Sequence, residues 1–230
     1  MDFRNMGYGR LNITDSFYFI INDTVISIWI VGALLIGLAV VFRIKFKKFT
    51  PVPTTRFQNI MEVLVDFFSG LTNQTLTPKY ANFSKWFFGV FLFIIFSNLS
   101  GLFGLRPPTA DITVTLTLGI ATVVMMIYAG LRYNTKGYLK GFLAPFPLFL
   151  PMNIVGEVSK AFSLGMRLFG NLLAGVIISA MLGFMLPWWL QLGPPGVLSI
   201  YFDLFVGVLQ AYVFVILSMT FISLSTPQED

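Results

Sequence analysis

The sequence contains no cysteine and no histidine. Without cysteine there is no disulfide framework and no thiolate metal site. Without histidine the chain lacks the usual proton carrier of neutral pH and the commonest metal ligand. Any proton path through it must therefore use carboxylates, polar side chains or water. Charge is scarce too: Asp, Glu, Lys and Arg make up 11% of the 230 residues, against about 25% in a soluble domain. There is no Gly-Lys-Ser/Thr phosphate loop, so no nucleotide site is expected. No internal repeat is visible, which argues against the repeat-built transporters.

What is present is apolar. Hydrophobic residues make up 56% of the chain, with 26 Phe. That composition predicts an all-α polytopic membrane protein, because in lipid a helix satisfies its backbone groups internally. The aromatic content suits a lipid-facing surface and interfacial belts. A net charge of +5 would suggest nucleic acid only if it formed a surface patch. Here the basic residues fall in short loops and report topology instead.

Residues 1–23 are polar and mixed. They lack the basic start and small-residue cleavage site of a signal peptide, and are read as an outer N-terminal segment. Residues 24–42 are long enough to span a core of ~30 Å. They end in the basic cluster Arg43, Lys45, Lys47 and Lys48, which marks the cytoplasmic side. After Pro51 and Pro53, residues 56–74 repeat apolar side chains at spacings of three and four (Phe57, Ile60, Met61, Leu64, Val65, Phe68). Glu62 and Asp66 interrupt them. This is the pattern of one amphipathic interfacial helix.

Further spans are predicted at 86–105 and 112–131, joined outside through Arg106, Pro107 and Pro108. Asn98 in the first of these is expected to hydrogen-bond another helix. Residues 132–151 are read as an inner loop ending in a proline-rich entry to the next helix. The run 152–186 has no internal proline. As one helix it would be about 52 Å long, so it either breaks or lies steeply across the membrane. Trp188 and Trp189 fall where an interfacial belt is expected, and Pro187, Gly193, Pro194, Pro195 and Gly196 form the turn. Residues 197–224 complete a hairpin. The result is five transmembrane helices, N-terminus outside and C-terminus cytoplasmic. Ten of the fifteen Lys and Arg residues fall in the inner loops under this topology, and only Arg106 in an outer loop.

The chemistry concentrates in 152–186. Arg167 is nearly impossible to deprotonate. Carrying it at membrane depth costs about 2.5–3.5 kcal/mol on insertion scales. At 100° per residue, Lys160, Arg167 and Asn171 share a face, with Glu157 about 60° from Lys160. Gly165, Gly170, Ala174 and Gly175 lie near this stripe, and ordinary close helix packing accounts for them equally well. On the last helix Asp203 and Gln210 are seven apart and expected on one face, with Gln210 level with Arg167. Two readings of Arg167 follow from chemistry: a functional charge, or a packing ion pair with a carboxylate of its own chain.

The string Ser163-Leu164-Gly165-Met166-Arg167-Leu168-Phe169-Gly170-Asn171, followed by Ala174-Gly175, resembles the signature of the a subunit (subunit 6) of F-type ATP synthases, in its bacterial form. The resemblance extends along most of the chain. It implies a single membrane domain whose last two helices form a long, steeply tilted hairpin against a rotor. The implied role is that of a non-catalytic, ion-translocating stator subunit in a bacterial plasma membrane, with no cofactor. Its implied partners are a ring of c subunits, the b-subunit peripheral stalk, the lipid bilayer and, indirectly, the F1 catalytic head.

By the same resemblance Arg167 falls on the essential arginine that meets the ring carboxylate. Asn171 and Gln210 fall on its polar neighbours, and Asn98 and Asp111 on polar positions that line the path in the family. Asp203, Glu157 and Lys160 complete the expected ion-translocation set. Two positions depart from the common pattern. Val176 stands where many relatives carry Glu, and Asp203 where many carry His. The translocated ion is H+ by default, with Na+ as the alternative.

Overall fold

The computed structural model describes residues 9–14, 17–21, 23–46, 56–76, 83–103, 105–133, 135–143, 146–185, 187 and 194–225. Lys47, Lys48, Lys79, Trp188 and Trp189, which the topology and belt arguments used, lie outside them.

Among the described residues the membrane body is helical, and five helical stretches are long and apolar enough to cross a bilayer. Ahead of them the N-terminal segment forms a two-stranded antiparallel hairpin, β1 (Gly9–Thr14) with β2 (Phe17–Ile21), in which Arg10 pairs with Ile20 and Asn12 with Tyr18. Helix α1 is Asp23–Phe46. Helix α2, Arg56–Thr75, carries the amphipathic pattern and buries Gln58, Phe68 and Thr72, with Leu76 just after it. Helix α3 is Ser84–Leu102, and α4 is Ile112–Tyr133 after a single 3-10 turn at Pro108–Ala110.

The stretch read as an inner loop is partly helical. It forms α5, Thr135–Leu143, and a 3-10 turn at Pro147–Phe149. Helix α6 then runs unbroken from Leu150 to Met185, with Pro151 in its first turn, where a missing N–H costs nothing. Its 36 residues make a rod of about 54 Å, so the alternative of two shorter helices is excluded. The return arm has three parts: α7 (Pro194–Ser199), a π-helical segment (Ile200–Val206) and α8 (Gly207–Ser225). An apolar run carries no signal for an i→i+5 turn, which is why the sequence reads as one uniform helix.

The core lies between α2, α3, α4, α6 and α8, around Phe87, Ile94, Met126, Leu164, Leu168, Phe214, Met219 and Ile222. Two glycines let α4 and α6 cross backbone against backbone. A Cβ built on Gly119 would collide with the Ala161 carbonyl oxygen, and one on Gly165 would sit 2.9 Å from that of Thr115. This close approach fixes α6 against the bundle. Its other side, including Phe162, Arg167, Gly170 and Ala174, stays exposed.

Candidate functional site

Arg167 lies near the middle of α6 on its open side. Among the described residues no carboxylate reaches it; the ion pair found there joins Lys160 Nζ to Glu157 Oε1 at 2.8 Å. The packing-pair reading of Arg167 therefore finds no partner among the described residues. Gly170, three residues on, has nothing within 4 Å of a Cβ built on it. The surface around the guanidinium is thus small and open, not sealed by the chain's own helices.

One turn beyond Arg167, Asn171 Nδ2 donates to Gln210 Oε1 at 2.6 Å. That bond ties α6 to α8 and puts Gln210 level with Asn171. Gln210 is buried, and its Nε2 has no partner among the described residues. A buried amide donor is normally satisfied by water or by another group.

Toward the other end of the helix, Lys160 also lies over the Phe221 ring, 5.4 Å from its centroid. The second oxygen of Glu157, Oε2, is buried without a hydrogen bond among the described residues. Both residues line an open cavity of about 340 Å³ between α5, α6 and the end of α8, together with Tyr138, Asn153 and Ser225. Burial, and then the nearby Glu157 charge, push the Tyr138 hydroxyl up to about 12. It therefore stays neutral and able to donate. Tyr138 escaped the sequence reading because its segment looked like a loop; Gly130 is the hint that it docks. A Cβ on Gly130 would lie 2.6 Å from the Tyr138 ring.

Asp203 lies inside the π segment, whose extra residue breaks the uniform α-helical spacing assumed between it and Gln210. Asp203 instead packs on α3, where its Oδ2 lies 3.1 Å from a Cβ built on Gly101. Asn98 is 1% exposed. It accepts a hydrogen bond from Thr109 Oγ1 at 2.7 Å and donates to the Gly207 carbonyl at 3.1 Å. Asp111 caps α4, its Oδ1 accepting from the Thr113 N–H at 2.9 Å, as an N-cap carboxylate does. Asn98 and Asp111 therefore each hold structure, whatever else they do. Val176 is exposed on α6.

The sequence profile described as ATP synthase A chain matches residues 25–223. The chain belongs to that family, the a subunit of F-type ATP synthases. Named relatives agree. The ATP synthase subunit a of Limosilactobacillus reuteri is 36% identical over 217 residues, covering 84% of this chain and 90% of its own length. The ATP synthase subunit a 2 of a Picosynechococcus strain is 35% identical over 221 residues, covering 92% and 89%. The sodium ion specific ATP synthase subunit a of Propionigenium modestum is 34% identical over 221 residues, covering 89% and 74%. In this a subunit, the residues expected to carry ions fall into three places: Arg167, Asn171 and Gln210 at mid-height; Glu157 and Lys160 at the cavity; Asp203 within the π segment, packed against α3.

Proposed function

We propose that this a subunit is the stator of the membrane motor and that Arg167 works against a ring of c subunits on the open side of α6. The observation that carries the reading is that Arg167 is exposed mid-helix with no carboxylate of the described chain to neutralise it. An unpaired charge facing hydrocarbon is expensive, so the arginine needs a partner from outside the chain. A rotor carboxylate supplies one. Facing lipid, that carboxylate must be protonated; passing Arg167, it is stabilised as the anion. The two long arms of the hairpin lie steeply tilted along the ring's flank, and the b-subunit stalk holds the stator still.

Two half-channels reach the ring from opposite sides. Ions enter from outside past Asp203, neutralise a ring carboxylate, travel almost a full turn and leave toward the cytoplasm past Glu157 and Lys160. The cavity that these two residues share with Tyr138 fits the exit. Asn171 and Gln210 hold the polar surface beside Arg167, and Arg167, permanently charged, blocks direct leak between the paths. Each charge crossing 100 mV supplies about 2.3 kcal/mol, and rotation delivers that work to the F1 catalytic head. The membrane is the bacterial plasma membrane, with the N-terminus outside and the C-terminus in the cytoplasm.

The test compares native complex with Arg167→Ala in inverted vesicles, measuring ATP-driven pumping, passive leak and co-purification of the ring. Loss of pumping in an assembled complex, with faster leak, is the expected result. Pumping near the native level would sink the reading. The proton is the ion proposed. A second reading, Na+, is favoured by the relative named sodium ion specific. Pumping that collapses when Na+ is withdrawn at constant ionic strength would select it.

A further inference from the structure

We infer that Asn98 is a positioning residue: with Thr109 it locks the π turn and sets the direction in which Asp203 faces. The inference rests on the reading that Asp203 lines the outer path. Four observations converge. Asn98 is an amide in an apolar core, where an unsatisfied polar group is costly, and both ends of its side chain are used. Its Oδ1 accepts from Thr109 Oγ1, and Thr109 is itself fully buried. Its Nδ2 donates to the carbonyl of Gly207, the first residue of α8 after the π segment Ile200–Val206. Gly207 cannot carry a side chain here, since a Cβ would sit 2.8 Å from that Nδ2 and 2.9 Å from the Asn98 Cβ.

The fourth observation lies one turn along α3. Asn98 and Gly101 are three residues apart and share a face. Opposite them, Gly207 and Asp203 are four apart. Asn98 grips Gly207, and Asp203 lies over Gly101 and beside Pro107, each within 3.1 Å of a Cβ built on that glycine. The two contacts form one antiparallel register between α3 and the return arm. The extra residue of the π turn falls inside this register. If the turn relaxed to an α-helix, the residues before it would rotate by about 100°, and Asp203, inside the turn, by part of that, away from Gly101. The amide bond to Gly207 sits where that relaxation would start, and the Thr109 hydroxyl holds the amide in place. Asn98 then acts through Asp203 without touching the ion.

The absence of native cysteine makes the direction of residue 203 measurable. In assembled complexes carrying Asp203→Cys, labelling by a membrane-impermeant thiol reagent from the outer side is timed in four backgrounds: native, Asn98→Leu, Thr109→Val and Thr109→Ser. Loss of a buried hydrogen bond shifts such an equilibrium by about tenfold. Labelling is therefore expected to slow by about that factor in Asn98→Leu and Thr109→Val, and to stay near native in Thr109→Ser, which keeps the hydroxyl. Where Asn98→Leu fails to assemble, the valine and serine pair gives the answer. Unchanged labelling in Thr109→Val overturns the inference, whatever Asp203 does. A separate arm tests the reading beneath it. If Asp203→Asn alone pumps at the native rate, Asp203 is not on the path, even where the labelling result shows that the lock exists.

Discussion

At the residue scale, two cations on one helix meet different fates. Lys160 is neutralised by Glu157 and laid over an aromatic ring, while Arg167 is left open. The difference follows from chemistry, because a guanidinium stays charged under any conditions the membrane offers. Beside it, the Asn171–Gln210 bond makes a specific claim about coupling. Residues sharing a hydrogen bond show interaction energies of about 0.5–3 kcal/mol. Asn171→Leu and Gln210→Leu are each expected to slow ATP-driven pumping, and the double variant to be less impaired than the product of the two single effects. Strict multiplication would mean that the bond has no bearing on the motor. Tyr138 gives a pH claim. Its hydroxyl is raised from 10.0 to about 12, so the folded state holds its proton more tightly than the unfolded state does. Stability is then full below pH 10 and falls as pH rises toward 12. Spectrophotometric titration of native protein minus Tyr138→Phe should show one tyrosinate appearing near pH 12. Its appearance near pH 10 would mean that the side chain is solvated.

At the scale of elements, glycines divide α6 into a packed side and an open side. Gly119 and Gly165 let α4 and α6 cross, and the group a side chain at 119 would strike is a backbone carbonyl that cannot swing away. Gly119→Ala is therefore expected to cost assembly: less a subunit in the membrane and less ring co-purified. At Gly170 an added Cβ meets nothing among the described residues, so in Gly170→Leu the subunit should accumulate normally. Its defect should appear only in rotation, as slowed pumping in a fully assembled complex. A Gly170→Leu complex that pumps at the native rate would show that the ring does not approach this side of α6. Gly165 and Gly170 were visible in the sequence only as small residues near a charged stripe, and Gly119 carried no signal at all; periodicity does not say which small residue meets a helix of the chain and which faces outward. The π turn was equally illegible. Helix-length apolar runs advertise their existence, but in an all-apolar helix no alternation reports a change of phase. That is why Asp203 and Gln210 were expected on one face.

At the scale of the whole molecule, the number of helices was legible because each apolar run approaches or exceeds the length that spans a bilayer, and polar or proline-bearing breaks separate them. The family was legible because Arg167 sits inside a specific string. Neither says which side of the membrane each loop occupies; that was argued from basic residues, through a bias that acts during insertion and leaves no trace in the folded contacts. Helix α4 isolates the claim. Arg106 lies just before it, past the Pro107–Pro108 break, and Arg132 is exposed at its last turn. If α4 spans the bilayer, these two positions face opposite compartments. The basic count assigns Arg132 to the cytoplasm, together with Lys136 and Lys140. Single cysteines at 106 and 132, in a chain that has none of its own, should therefore respond oppositely to an impermeant thiol reagent. In intact cells Arg106→Cys is labelled and Arg132→Cys is protected, and in inverted vesicles the pattern reverses. A reversed pattern from the start would turn the molecule over and exchange the entry and exit assigned to Asp203 and Glu157, leaving Arg167 between them. Labelling of both positions from one side would show that α4 does not cross. The register of α4 against α6 at Gly119 would then have to form outside the membrane, where the apolar faces of both helices would meet water.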